Sequence, residues 1–450
     1  MADTQIIWFR QDLRLADQAA VAHAATAGPV IALYVLDDDT PGDWRIGGAQ
    51  RWWLHRSLVA LAADLAKHGV PLVLRRGRAG QVVPEVVRTS GAATVHALWH
   101  YEPWARAQQD EVSAACELQL HDGNYLLPPG TVRTGSGGAF RIFTPFWRAL
   151  QQHMPPPEPT PVPALTAAPA PDSDRLEDWA PLPTKPDWSG GFDVWTPGEA
   201  GAHAALDAFA GKAAAYDRAR NYPAEAGSSR LSPHLHFGEV SPAAVWHAVP
   251  DSESYRREIA WRDFAVGLID TFPDSHMTPG RTQFASFPHR DAPDELAAWQ
   301  RGRTGYPIVD AGMRELWATG WMHNRVRMIA ASFLVKHLLI DWRAGSRWFW
   351  DTLVDADLGN NSLGWQWIMG SGVDSSPFNR IFAPVTQSAK FDAAAYIRKW
   401  VPELRGVSDE AIHAPWEAGG VRSYPPPLVD HAVARARALA AYAATSSLSP

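Results

Sequence analysis

Val30-Ile-Ala-Leu-Tyr-Val-Leu36 is a near-continuous apolar run, bounded by Gly28-Pro29 before it and Asp37-Asp-Asp39 after it. A strand with one solvated face alternates apolar and polar residues. A strand without alternation is buried on both faces, which is the state of a parallel sheet covered by helices. Reading outward from it, Ile6-Ile-Trp-Phe9 is a second strand, and Ala16 to Ala27 is a helix closed by Gly28-Pro29. Downstream, a helix from about Ala49 to His68 ends at Gly69-Val70-Pro71. Strands at Leu72–Leu74 and Thr94–Trp99 then alternate with helices near Gly80–Thr89 and Trp104–Glu117. Repeated βα units predict a doubly wound parallel sheet of Rossmann-like type over residues 1–130. The first strand is followed by Arg10-Gln-Asp-Leu-Arg14 and not by a G-x-G-x-x-G turn, which argues against dinucleotide binding there. Gly135-Ser-Gly-Gly138 is too irregular for a phosphate loop and reads as surface loop.

Residues 131–197 form a linker, with twelve prolines between Pro155 and Pro197. Proline fixes φ and removes a donor, so this stretch holds no long regular element. From 198 to 450 the helical period dominates: Ala202–Ala215, Ser241–Val249, Ser254–Ile269, Glu295–Gln300, Val309–Thr319, Trp321–Leu339, Trp348–Leu353 and Val429–Tyr442. The second domain is therefore expected to be all-helical. The 450 residues suit two or three domains, with 46% apolar and 20% charged residues. No apolar run approaches the ~18 residues that span a bilayer, and no signal-peptide pattern opens the chain. The single cysteine, Cys116, excludes internal disulfides and fits a reducing cytoplasm. A net charge of −7 does not mark a nucleic-acid binder, so any such site must be a local patch. The 22 tryptophans are an unusual surplus, to be explained by the core or by a use for stacking, electron-rich rings.

Three constellations stand out in the helical part. Glu258, Trp261 and Arg262 sit at i, i+3 and i+4 of one helix face, as do Asn324, Arg327 and Met328 on another. Each face serves either a polar ligand or a surface ion-pair network. Asp355-Ala-Asp-Leu-Gly-Asn-Asn-Ser-Leu-Gly-Trp-Gln-Trp367 gathers acids, amides and two indoles, suited to an aromatic polar ligand such as a flavin or to a capped turn. Tyr216, Arg220 and Ser228-Ser-Arg-Leu-Ser232, leading into Pro233-His-Leu-His236, offer hydroxyl and backbone donors to phosphate, and Ser232 also suits a helix cap. His234 and His236 lack companions at metal-ligand spacing, and no metal is expected. Between Trp321 and Trp350, five Lys/Arg interleave with aromatics, the composition of a stacking, phosphate-facing surface or of ordinary amphipathic helices. No nucleophile–base pair and no paired carboxylates are found.

These residues resemble the photolyase/cryptochrome flavoproteins. Trp8-Phe-Arg-Gln-Asp-Leu-Arg14, Thr304–Asp310, Gly320–Met328, Trp350–Asp357, Asn360–Trp367 and Phe382–Lys390 are similar to that family's signatures, in order along nearly the whole chain. The resemblance implies light-driven repair of cyclobutane pyrimidine dimers by electron transfer from excited FADH⁻ to a dimer flipped out of UV-damaged DNA. A signalling cryptochrome is the alternative. It implies that Tyr216, Ser228, Ser229, Arg230, Leu231 and Ser232 hold the flavin's phosphates and ribityl chain. Asn324, Arg327, Asp355, Asp357 and Asn361 would surround the isoalloxazine, with Asn361 at N5. Trp261 and Trp367 would stack on the dimer, Glu258 would hydrogen-bond a pyrimidine, and Asn324 and Met328 would also face the lesion. Arg220 and Arg325 would meet DNA phosphate. Trp365, Trp342 and Trp299 would relay electrons to the flavin from the surface. A monomer is the family expectation.

Met328 resembles dimer-repairing photolyases, and Asn361 stands where plant cryptochromes tend to carry Asp. In folate-binding members, the stretch matching Tyr101-Glu-Pro-Trp-Ala105 ends in Asn and Glu; here Trp104 and Ala105 stand there, and Trp44–Trp53 is closer to plant-cryptochrome-like relatives. The resemblance therefore leaves the antenna as a folate bound another way, a deazaflavin, or none.

Overall fold

The computed structural model describes residues 3–179 and 182–446. Small parts of the expected linker, at 180–181, and of the expected helical domain, at 447–450, lie outside the described residues.

The βα alternation is realised as β1 (Gln5–Phe9), α1 (Ala19–Ala27), β2 (Val30–Leu36), α2 (Gly48–Lys67), β3 (Leu72–Arg76), α3 (Ala79–Ser90), β4 (Thr94–Leu98), α4 (Pro103–Ser113) and β5 (Leu118–His121). All strands run parallel in the order β3-β2-β1-β4-β5. Every residue of β2 is buried, as its lack of alternation required. The edge strand β5 is a correction to the expected helix reaching Glu117: α4 ends at Ser113, and four residues pair with β4. So short a strand shows no period in the sequence.

In doubly wound sheets, ligands enter where the strand order reverses, here beyond the C-terminal ends of β1 and β4. The chain fills that place itself. Leu13 N–H donates to the Phe237 carbonyl at 3.0 Å, and Arg14 donates to the Gly238 carbonyl at 2.9 Å and to Asn124 at 3.1 Å. Gly238 has φ +63°, and a Cβ there would stand 2.4 Å from the Gln11 carbonyl oxygen, so only glycine fits. The linker also braces the sheet. Thr166 and Ala168 bond to Val30 on β2, and Ser173 and Asp174 bond to Leu74 on the edge strand β3.

The helical elements are α5 (Phe143–Leu150), α6 (Glu199–Ala210), α7 (Tyr216–Ala219), α8 (Ser232–His236), α9 (Pro242–Ala248), α10 (Glu253–Thr271), α11 (Pro293–Gln300), α12 (Pro307–Thr319), α13 (Asn324–Ser332), α14 (Trp342–Thr352), α15 (Leu358–Met369), α16 (Pro384–Lys390), α17 (Ala394–Trp400) and α18 (His431–Ser446). The helix expected over Ala202–Ala215 runs instead from Glu199 to Ala210 as α6, with a separate single turn at Ala213–Ala215, and two further boundaries move. The helix expected over Trp321–Leu339 begins only at Asn324, where the His323 ring accepts from Arg325 N–H at 3.2 Å, and passes into a π-helical turn at Phe333–His337. The helix expected from Trp348 starts at Trp342, capped by Asp341, which accepts from Arg343 N–H at 2.9 Å.

Two compact units emerge. One comprises Met1–Trp188, Asp193–Ala213 and Ser229–Pro273; the other comprises Ser189–Phe192, Ala214–Ser228 and Asp274–Pro450. Elements α6 and α8–α10, assigned from sequence to the helical domain, thus pack with the sheet. The bonds to Phe237 and Gly238 hold them there, together with Glu199, which accepts from Leu15 N–H, and Glu239, which accepts from the Trp53 indole.

Candidate functional site

In the second unit, α13 and α15 enclose a cavity of about 200 Å³. Asn324, Arg327 and Met328 line it from α13, and Asn361 and Trp365 line it from α15. This is the i, i+3, i+4 face read from the sequence. Asp355 joins them from the loop before α15. Arg327 donates to Asp355 at 2.8 Å and to the Met322 carbonyl at 2.7 Å. The second Asp355 oxygen is buried without a hydrogen-bond partner. Asn361 spends its NH₂ on the backbone and hydroxyl oxygens of Ser346, both at 3.0 Å, which leaves its amide oxygen for the cavity.

Asp357 does not line this cavity. It caps α15, accepting from Asn360 N–H at 2.7 Å. That cap explains how a stretch so rich in Asn and Gly forms a helix. Trp365 and Trp367 diverge, as their i, i+2 spacing required. Trp365 is buried in the cavity wall, and Trp367 is half-buried beneath the guanidinium of Arg380 at 5.9 Å.

The structure brings Trp365 and Trp299 together, edge to face at 6.2 Å, with Phe349 5.0 Å from the one and 5.9 Å from the other. The relay expected to run in from the surface through Trp365, Trp342 and Trp299 has no exposed ring among these three. Trp299 has no exposure, with its N–H on the Ala330 carbonyl at 3.0 Å, and Trp342 is 1% exposed. A relay running to solvent needs a further residue beyond these three.

The basic stretch 321–350 forms no single phosphate-facing surface. Lys336 is buried against the Arg380 carbonyl and the Phe378 ring, and Arg327 and Arg343 are paired with Asp355 and Asp341. What remains is a smaller cluster. Arg325 bonds Asn221 and lies 4.7 Å over Phe391. Burial, and then the like charges of Arg220 and Arg380, pull its pKa down. The three guanidiniums thus add up to a local positive potential. Arg220 lies 5.1 Å over Tyr216, and Ser228 belongs to the same unit.

In the first unit, Ser229 accepts from the Tyr255 hydroxyl at 2.7 Å and from Leu231 N–H at 3.2 Å. Arg230 holds φ +56°, a strained backbone for a side chain of its size, with its guanidinium over Trp195. The cap expected of Ser232 is not formed: Ser232 is the first residue of α8, Leu231 takes the cap position, and no side chain caps the helix. Glu258 and Trp261 are half-buried on α10, and Trp261 stacks on Phe143 at 3.6 Å and 10°. Arg262 turns instead to the Leu235 carbonyl at 3.0 Å. His234 is bonded to Glu239 at 2.5 Å and packs against Trp53.

Sequence reasoning missed Phe143, Ser346, Phe349 and Arg380. Phe349 was visible among the interleaved aromatics; the others carry no spacing signal, because their partners are distant in sequence.

Comparison with known proteins agrees with this layout. Residues 5–165 match the family described as DNA photolyase, and residues 255–444 match the FAD binding domain of DNA photolyase. A deoxyribodipyrimidine photo-lyase of Agrobacterium fabrum is 46% identical over 471 residues, covering 98% of this chain and 97% of that protein. Cryptochrome-1 of Arabidopsis thaliana is 36% identical over 96% of this chain and 69% of its own. The crystal structure of a bacterial class III photolyase from Agrobacterium tumefaciens superposes with a TM-score of 0.94 at 45% identity, over 99% of this chain and 98% of that one. With two family matches in the right order and a relative this similar along its full length, the chain belongs to the DNA photolyase family.

Proposed function

We propose that this chain is a photolyase that repairs cyclobutane pyrimidine dimers in UV-damaged DNA, with FAD held at the α13–α15 cavity. The observation that carries the reading is the Arg327–Asp355 pair with its unsatisfied carboxylate oxygen in a cavity walled by Trp365 and Phe349. This donor set fits an isoalloxazine: a buried acceptor for a ring N–H, a cation beside a site that gains negative charge, and apolar walls. When bound, FAD absorbs the photon and supplies the electron that opens the cyclobutane ring.

The chain's own residues do the rest. Arg327 stabilises anionic charge in the cavity and is oriented by Met322 and Asp355. Asn361, its NH₂ fixed on Ser346, presents an acceptor and so favours a protonated donor opposite it. Ser229, held by Tyr255, belongs to the segment Ser228–Ser232 that offers donors to the phosphates. Trp261, fixed from behind by Phe143, gives a flat face to a flipped base, and Glu258, one turn away, stabilises charge that develops on the lesion. Arg220 and Arg325 meet the DNA phosphates.

The test is anaerobic repair by the photoreduced protein of an oligonucleotide carrying one thymine dimer, followed as recovery of thymine absorbance against a dark control. Light-dependent recovery is expected. No recovery with FAD bound and reduced would replace repair by a signalling, cryptochrome-type role.

A further inference from the structure

Lys336 lies in the π-helical turn Phe333–His337 and is 1% exposed. Nothing in the proposed repair chemistry uses it. A lysine is almost never fully buried unless an acid pairs it, and among the described residues Lys336 forms no ion pair. Its only hydrogen bond there runs from Nζ to the Arg380 carbonyl at 2.9 Å, and the ammonium stands 5.2 Å over the Phe378 ring. An ammonium carries three donors, so one carbonyl and one ring face leave it poorly compensated. Burial, and then the like charge of Arg380, pull its pKa from 10.5 down to about 7. The fold therefore keeps a cation that opposes folding, at a position where a methionine of similar volume would not.

The carbonyl it holds belongs to an exposed turn. Arg380 N–H donates to the Pro377 carbonyl at 3.0 Å, and Ile381 N–H donates to the Asn379 carbonyl at 3.0 Å. Pro377, Asn379 and Arg380 are exposed, whereas Phe378 and Phe382 are buried. Phe378 anchors the start of the turn, stacked on Tyr442 at 4.8 Å and 10°. Lys336 ties down its far end from beneath. The Arg380 guanidinium lies 5.9 Å from the Trp367 ring and 5.4 Å from that of Phe382. It has no ion pair among the described residues, so its charge is left for a phosphate. The ammonium that holds the Arg380 carbonyl also repels the Arg380 guanidinium, which favours the outward, ring-stacked placement.

We propose that Lys336 is a positioning residue for DNA binding: from beneath the turn 377–381 it fixes the Arg380 backbone, so that the guanidinium stands beside Trp367 to meet a DNA phosphate. The inference rests on the DNA-binding part of the proposed function. It goes beyond that reading by giving a task to a buried side chain that itself meets no phosphate.

The experiment compares the full-length, FAD-loaded parent with Lys336→Met, Arg380→Ala and the double variant. Fluorescence anisotropy follows binding to a duplex carrying one thymine dimer and to its undamaged counterpart, at several salt concentrations, and melting temperatures are measured alongside. Lys336→Met is expected to weaken both duplexes about threefold or more and to lower the salt slope toward that of Arg380→Ala. Added to Arg380→Ala it should cost nothing further, because the two act through one contact. Its melting temperature should equal or exceed the parent's. Weaker, less salt-dependent binding by an equally stable protein is a pattern that a merely structural lysine does not give. Parent-like binding by Lys336→Met beside a loss in Arg380→Ala would overturn the inference, as would a loss that adds in full to that of Arg380→Ala. A lower melting temperature, or failure to fold, would assign Lys336 to structure instead. If Arg380→Ala itself binds like the parent, Arg380 meets no phosphate and the inference falls with it, while light-driven repair still decides the proposed function separately.

Discussion

Arg327 and Asp355 make the strongest case that a single residue matters. The Asp355 side chain is 3% exposed, so Arg327→Ala would strand a buried carboxylate. Breaking a buried pair from one side costs on the order of 3 kcal/mol, and denaturant titration should show a loss of that size together with reduced flavin content. Glu258 differs, because the role proposed for it comes after the photon. Removing a charge-assisted hydrogen bond worth roughly 1.5 kcal/mol slows the step it assists by about tenfold. Glu258→Ala is therefore expected to lower dimers repaired per absorbed photon more than it lowers lesion affinity. An unchanged quantum yield would mean the residue has been given the wrong role. Both residues were legible in the sequence, because charged groups at i, i+3 and i+4 on a helix face rarely serve a core. Phe143 was not: its stacking on Trp261 joins positions far apart in the chain, and no local pattern encodes that.

At the scale of elements, the packing of α14 against α15 turns on Gly345. A Cβ there would stand 2.1 Å from the Trp365 indole. Gly345→Ala forces that ring to move, and overpacking of this kind costs about 1–3 kcal/mol, partly offset by the better helix propensity of alanine. Thermal melting should fall, and flavin photoreduction should slow as Trp365 shifts from Trp299. The sequence made α15 look like a loop, since Asn and Gly disfavour helix interiors. Asp357 reverses that by capping, and the tertiary bonds of Asn361 to Ser346 complete the reversal. The strands and α2–α3 were easier, because long apolar runs and clear Gly/Pro stops report on neighbours close in sequence. The π-helical turn at Phe333–His337 was invisible for the opposite reason: it preserves an apolar run and changes only hydrogen bonding.

For the whole molecule, a net charge of −7 means DNA affinity depends on a few local cations. Arg380→Ala, at the Arg220–Arg325 cluster, is expected to weaken damaged and undamaged DNA alike and to reduce the salt slope of binding by about 1 if it meets one phosphate. Acid stability has a second local origin. His23, His96 and His121 stack in the sheet unit, with centroids 4.4 and 5.3 Å apart. Burial, and then the neighbouring imidazoles, hold His121 down to about 4, against 6.5 for a free imidazole. The unfolded chain therefore binds the extra proton first, and stability falls as pH drops from about 6.5 toward 4. Asp263 acts in the opposite sense. Burial raises it to about 7, so its penalty grows as pH climbs from the carboxylate range toward neutrality. Denaturation midpoints at pH 7 and pH 5 should separate the two: His121→Gln loses less on acidification than the parent chain.

The linker's hold on the sheet bears on how the protein can be divided. Ser173 and Asp174 occupy the rim of β3, and Thr166 and Ala168 occupy the start of β2. A fragment ending at residue 130, the sequence-derived domain limit, would lack this strap. Its β3 would then display unpaired N–H and C=O groups, a template for pairing with another copy. Such a fragment would self-associate as it is concentrated, and one extended through residue 175 would stay dispersed longer.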